Sequence, residues 1–108
     1  MSLLPDDPKA RKEYPMATGL LDYFPDALAY VSHVSFLGGQ QHNPGKPLFW
    51  DRSKSGDQSD TMLRHQIEAT EFDKDGLLHA GKVAWRALAQ LQLLIEKLQA
   101  EGKPVVKK

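Results

Sequence analysis

The clearest pattern along the chain is an apolar stripe in its last third. Apolar side chains recur there at alternating steps of four and three residues, the spacing that places them on one face of an α-helix. They are Ala84, Leu88, Leu91, Ile95 and Leu98. The pattern predicts a helix from Leu77 to about Ala100, preceded by a turn at Phe72–Gly76. Two or three helices of this length cannot cover the stripe, so we expect a helical homo-oligomer.

Two shorter helices are predicted upstream. The first begins at Pro25, because proline is well tolerated at the first helical position, and stops at the Gly38–Gly39 pair. The second is capped by Asp57 or Ser59 and continues to about Thr70. The sequence therefore predicts an all-α fold, a small helical domain of about three helices.

A long stretch without helical periodicity, residues 39–56, separates these two helices. Loops of about 18 residues are unusual in compact domains and tend to be functional or disordered. Phe49 and Trp50 argue against disorder, because disordered segments rarely carry aromatic anchors. We therefore predict a long ordered loop within a domain spanning residues 17–101, with an extended N-terminal arm at 1–16 and a flexible tail at 102–108.

Composition narrows the class of function. Lys plus Arg is 14 and Asp plus Glu is 14, so the chain lacks the cationic surplus of a nucleic-acid binder or of a polybasic membrane anchor. The absence of cysteine excludes disulfides and thiolate metal sites. Neither a signal-peptide pattern nor an apolar run of about 20 residues occurs. We therefore expect a cytoplasmic protein with no nucleic-acid or membrane partner.

The loop carries side chains suited to a small anionic ligand. Four consecutive polar side chains can donate and accept hydrogen bonds, and nearby cations can bind phosphate. The polar residues are Gln40, Gln41, His42 and Asn43, and the cations are Lys46, Arg52 and Lys54. Phe49 or Trp50 offers a face for a base to stack on. Ser55 precedes a predicted helix start, where free N–H groups favour an anion.

The last helix carries a polar face beside its apolar stripe. His79, Lys82 and Arg86 are spaced i, i+3 and i+7, so they share one side of that helix. Cations near a helix N-terminus oppose the helix dipole, and a phosphate held between them would relieve that repulsion. A solvated polar face is the alternative interpretation of the same spacing.

The acidic residues give a weaker indication of metal binding. Glu68 and Glu71 form an ExxE, the pattern with which all-α nucleoside triphosphate pyrophosphatases hold Mg²⁺. Those enzymes use a second acidic motif on the following helix, where this chain offers only Glu96. Too few carboxylates converge in the sequence for a divalent ion that bridges phosphates.

Four longer segments between Ala17 and Leu91 have distinctive amino-acid sequences. They are TGLLDYFPDAL, HVSFLGGQQHNPGKPLFW, RSKSGDQSDTMLRH and HAGKVAWRALAQL. They resemble a small domain common in phage and prophage genomes, named there as the N-terminal domain of dATP/dGTP diphosphohydrolases. The resemblance implies a phage origin and a purine-nucleotide ligand. It also implies a shared site that includes the QQHN segment, Lys54–Asp60, Arg64, His65 and His79–Arg86.

Three hypotheses follow. The first is a phage protein that sequesters a purine-containing nucleotide, for example a cyclic or ADP-ribose-type bacterial immune signal, in the infected cell and without a cofactor. The alternative is a metal-dependent dATP/dGTP diphosphohydrolase, in which Asp57 and Asp60 hold Mg²⁺ or Mn²⁺ and His65 or His79 is catalytic. The third is a protein-interaction module that uses its exposed apolar side chains.

Overall fold

The computed structural model describes residues 2–54 and 56–107, and over these ranges the all-α prediction is confirmed. No strand forms among the described residues, where Phe72 and Leu78 make only an isolated bridge. Over the same ranges, every helix is too short or too polar to cross a membrane. The α-helices are α1 (Pro8–Arg11), α2 (Pro25–His42), α3 (Gln58–Ile67) and α4 (His79–Ala100), with a π-helical turn at Ala17–Leu21 and a 3₁₀ turn at Arg52–Lys54.

Helix α4 is the element on which the other long helices pack. Both α2 and α3 contact it. Helix α3 runs antiparallel to α4, because the end of α3 at His65 meets the start of α4 at His79, whereas Gln58 at the start of α3 meets Arg86. The turn that was predicted between them is present, with Gly76 at φ 83°.

The end of α2 differs from the prediction. The Gly38–Gly39 pair does not stop the helix, which continues to His42. Positive φ, which would end a helix, occurs instead at Gly45, at 76°. The residue before a proline disfavours helical geometry, so Asn43, which precedes Pro44, becomes the C-cap. Three of the four polar residues expected in the loop are therefore helical, and the loop is shorter than predicted.

The two chain ends contain more local order than the predicted arm and tail. Within the arm, the Asp7 carboxylate accepts a hydrogen bond of 3.0 Å from the Ala10 amide and caps α1. At the other end, Gly102 adopts φ 68°, and the Lys103 amide reaches back to the Leu98 carbonyl at 2.9 Å. This is the glycine-based arrangement that closes many helices.

The described residues bury few side chains, and most of those lie where α3 meets α4. The buried apolar residues are Leu77 and Ala89, and the buried polar residues are Gln58, Thr61 and His79. The contact surface between α3 and α4 is therefore unusually polar. Since buried polar groups must be hydrogen-bonded, this surface constrains side-chain geometry more tightly than an apolar one would.

Gly81, in the first turn of α4, permits the close approach of α2. A Cβ atom at this position would lie 2.7 Å from two carbons of the Tyr30 ring. That ring is held in place because the Leu78 amide donates a hydrogen bond of 2.7 Å to its hydroxyl. We therefore expect Gly81→Ala to lower the free energy of unfolding by about 1–3 kcal/mol, measured by urea denaturation.

Gly38→Ala is the matched control for this prediction. A Cβ added at Gly38 meets no atom within 4 Å, so alanine should stabilise α2 by about 0.5–1 kcal/mol through its better helix propensity. Two substitutions that change stability by the same amount would contradict the close packing of Tyr30 on Gly81.

Candidate functional site

Two histidines face each other where α3 ends and α4 begins. The Nδ1 atoms of His65 and His79 are 2.7 Å apart, and their ring centroids are 5.0 Å apart. At this distance one Nδ1 must carry a proton and the other must accept it. His79 is buried and His65 is half-buried, so the pair directs two imidazole nitrogens into a shared and partly shielded space.

The connection between the helices fixes the position of His79. Its backbone amide donates to the Glu71 carbonyl at 2.9 Å, and the Ala80 amide donates to the Ala69 carbonyl at 3.0 Å. Gly76, with its positive φ, lets the chain reverse direction over a short distance. The first turn of α4 is thereby anchored to the chain that follows α3, which holds the two imidazoles opposite each other.

Asp73, in this connection, completes a group of three possible metal ligands. One ligand atom from each of His65, Asp73 and His79 lies within 4.8 Å of the others. Nitrogens that share a tetrahedral ion are about 3.3 Å apart, so the two rings need to separate only slightly to hold one. Two imidazoles and a carboxylate suit Zn²⁺ or Mn²⁺, and three protein ligands leave a coordination position open, as in catalytic sites.

Lys82 lies beside this His65–Asp73–His79 cluster and binds two carboxylates. Its Nζ atom is 2.6 Å from Asp73 Oδ2 and 2.7 Å from Asp75 Oδ2, and its side chain is only 18% exposed. Asp75 also accepts hydrogen bonds from the Leu77 amide, at 3.1 Å, and from the side-chain amide of Gln41, at 3.4 Å. The end of α2 is therefore connected to the same group of charges.

These contacts set the protonation states of the cluster. The hydrogen bond from Lys82, with that from the Lys74 amide, lowers the pKa of Asp73 to about 2. Burial, and then the electrostatic effects of His79, Lys82 and Arg86, lower the pKa of His65 below its ordinary value of 6.5. At neutral pH the cluster thus presents an ionised carboxylate and a neutral His65 imidazole, the forms that bind a metal ion.

The structure brings together part of the predicted ligand-binding set. Gln41, His65, His79 and Lys82 lie in or next to the cluster. Two further members donate to neutral oxygens, one across the α3–α4 contact and one within α3. They are Arg86, which is 3.3 Å from Gln58 Oε1, and Arg64, which is 3.1 Å from Thr61 Oγ1.

A second part of the predicted set, Trp50 and Arg52, contacts α4 farther along the helix, at Trp85 and Glu96. Trp50 packs edge-to-face on Trp85, with ring centroids 5.7 Å apart. The Arg52 guanidinium lies 4.4 Å above the Trp50 ring and makes two hydrogen bonds of 3.1 Å to the Glu96 carboxylate. The Trp50 ring, predicted to stack on a base, is thus already in contact with an indole and a guanidinium.

The remaining predicted ligand residues lie at the end of α2 and in the loop. Gln40, His42 and Lys46 are exposed, and Asn43 is half-buried at the helix end. Lys54 belongs to the 3₁₀ turn, and Ser55 lies outside the described residues.

Asp57 and Asp60, the predicted metal ligands of a hydrolase, lie at the start of α3. The Asp57 carboxylate accepts a hydrogen bond of 3.0 Å from the Thr61 hydroxyl. Because a helix rises about 1.5 Å per residue, Asp57 is roughly 12 Å from His65 along the helix. Both carboxylates lie outside the group of possible metal ligands found among the described residues.

Sequence reasoning missed Asp73 and Asp75, which it treated only as part of a turn. The position of these two aspartates in the sequence could have indicated their role. They lie in a tight turn that directly precedes the helix start carrying His79 and Lys82. A cationic face at a helix N-terminus needs a counter-charge, and the nearest source is the preceding turn.

Comparison with known proteins adds no further information about the site. The scan against protein-family models gives no match, and neither the curated proteins nor the solved structures yield a significant one.

The lowered pKa of His65 predicts a loss of stability in mild acid. Because the folded state disfavours the protonated ring, the free energy of unfolding should fall as the pH drops below 6.5, where the unfolded chain takes up the proton. His65→Gln, which cannot take up that proton, should lose less stability between pH 7.5 and 5.5 in urea denaturation. His33→Gln, at an exposed histidine of α2, is the control and should lose as much as the wild type. An equal loss in all three proteins would contradict the assignment to His65.

Proposed function

We propose that this protein is a metal-dependent hydrolase of purine nucleoside triphosphates, with the ion held by the His65–Asp73–His79 cluster. The observation that supports this proposal is the convergence of two imidazole nitrogens, 2.7 Å apart, and one carboxylate at a single partly shielded point. Of the three hypotheses drawn from the sequence, this geometry favours the hydrolase. It also favours Zn²⁺ or Mn²⁺ over Mg²⁺, because imidazole is a poor ligand for Mg²⁺.

The reaction is the addition of water to the α-phosphorus of the nucleotide. The bond between that phosphorus and the oxygen bridging to the β-phosphorus breaks, and the monophosphate and pyrophosphate leave as products. A bound ion would supply a Lewis acid for the phosphoryl oxygens and lower the pKa of water. The chain supplies positive charge beside it, because Lys82 and Arg86 are close enough to His65 to lower its pKa. Of these two cations, Arg86, which donates to the neutral Gln58 oxygen, would face the negative charge of the triphosphate, whereas Lys82 stays paired with Asp73 and Asp75.

The nature of the substrate rests on the resemblance rather than on the cluster. Segments around the cluster, including SDTMLRH and HAGKVAW, resemble the N-terminal domain of phage dATP/dGTP diphosphohydrolases. The resemblance supports dATP and dGTP as the nucleotides to test first.

Nucleotide sequestration remains the alternative proposal, but two of its predicted phosphate ligands are engaged within the protein. Arg52 pairs with Glu96, and Lys82 pairs with two carboxylates. Binding a phosphate through these cations would require breaking those pairs, which weakens the net attraction. Arg64 and Arg86, which donate to neutral oxygens, are the cations best placed to bind phosphate in either proposal.

Metal binding is predicted to depend on the carboxylate of Asp73 and not on those of Asp75 or Asp60. Asp73→Asn should weaken Zn²⁺ or Mn²⁺ binding by more than the roughly 10- to 100-fold that follows the loss of a supporting hydrogen bond, as measured by isothermal titration calorimetry. Asp75→Asn is the matched control, because Asp75 also pairs with Lys82 but lies outside the cluster. Asp60→Asn tests the alternative metal position on α3. Normal binding by Asp73→Asn, or a loss confined to Asp60→Asn, would overturn the proposed site.

Turnover is predicted to require the same residues. Incubating the protein with dATP or dGTP and Mn²⁺ or Zn²⁺ should release monophosphate and pyrophosphate, detected by chromatography, whereas His79→Gln should be inactive. The mixture is filtered before analysis, and the retained protein is heated to release bound nucleotide. Intact nucleotide recovered only after heating would support sequestration instead. If no product forms and no nucleotide is retained by the protein, the result would support a protein-interaction module.

A further inference from the structure

An apolar groove between α2 and α4 is open on the surface of the protein. Leu28 and Val31 of α2 form one wall, and Trp85, Leu88 and Ile95 of α4 form the other. Leu91, which also lines the groove, is 53% exposed, and Leu88 is 51% exposed. Leu88, Leu91 and Ile95 are members of the apolar stripe, so the folded chain leaves much of that stripe in contact with water.

The exposed surface area and the radius of gyration are both larger than those of a compact monomer of this size. The chain exposes 8370 Å², whereas a folded monomer of its mass exposes about 6,000 Å². Its radius of gyration is 15.9 Å, compared with about 13 Å for a compact chain of this length. A standard protein interface removes about 800 Å² from each partner, so the excess surface is more than enough to form one.

We infer that a second copy of this chain covers the groove, with the α4 helices of the two copies packed about a two-fold axis. A second copy fits because Leu88 and Leu91 of α4 line the groove and are still half exposed, so the same helix of another copy can pack along them. An apolar helix face that packs on the same face of a second copy forms a contact with two-fold symmetry. The formal net charge of zero means that two copies do not repel each other strongly.

Leu91→Glu tests this interface. Two-fold symmetry places the substituted residue in the contact twice, so the dissociation constant should rise by roughly 100-fold or more. Sedimentation equilibrium of the wild type at micromolar concentration should give twice the chain mass of 12.1 kDa, and the variant should give a single chain mass. Leu63→Glu is the matched control, because Leu63 is 61% exposed on α3 and lies outside the groove. This control should remain a dimer.

A second measurement covers the case in which Leu91→Glu fails to fold. The melting temperature of the wild type should rise with protein concentration, because folding is then linked to association. A wild-type mass of one chain with a melting temperature independent of concentration would overturn the inference. Dissociation of the dimer by Leu63→Glu but not by Leu91→Glu would also overturn the inference, because it would place the interface on α3. These measurements use neither metal nor nucleotide, so they are independent of the proposed hydrolase activity.

Discussion

A lysine ammonium held between two carboxylates connects the parts of this molecule that surround the His65–Asp73–His79 cluster. Lys82 belongs to α4, whereas Asp73 and Asp75 belong to the turn before it, and Asp75 also accepts a hydrogen bond from Gln41 at the end of α2. Separating these charges would leave one of them partly shielded from water without its partner, which is costly. The turn, the start of α4 and the end of α2 therefore keep one arrangement, and this arrangement places Asp73 beside His79.

The two faces of α4 have different physical roles. Its contact with α3 includes polar pairs, His65 with His79 and Gln58 with Arg86. Polar pairs contribute little net stability, but they fix register because a shift along the helix would leave buried groups without partners. The apolar stripe lies toward α2 and stays partly exposed. Register is thus set on one side of α4, and the apolar area that can add stability lies on the other.

The sequence predicted local features well and contacts between distant residues poorly. The periodic stripe placed α4 to within two residues at its start. Of the two residues expected to cap α3, Asp57 occupies the N-cap position, but its side chain makes no capping hydrogen bond. The predicted end of α2 at Gly38–Gly39 was wrong because glycine permits positive φ but does not require it. Pro44, in contrast, sterically disfavours helical geometry at the residue before it. The shared face of His79 and Lys82 followed from helical spacing. Their partners did not, because the way a turn folds back over a helix leaves no periodic trace in the sequence.

The short sequence separation within the cluster has a consequence for how the protein assembles. Its two histidines are fourteen positions apart, and Asp73 lies between them. Closing a loop this short costs little entropy, and contacts of this kind form quickly in folding. The α3–α4 hairpin can therefore form as a first-order step within a single nascent chain. The inferred association with a second copy would be second order and would slow as the protein is diluted. The cluster would therefore form before that association.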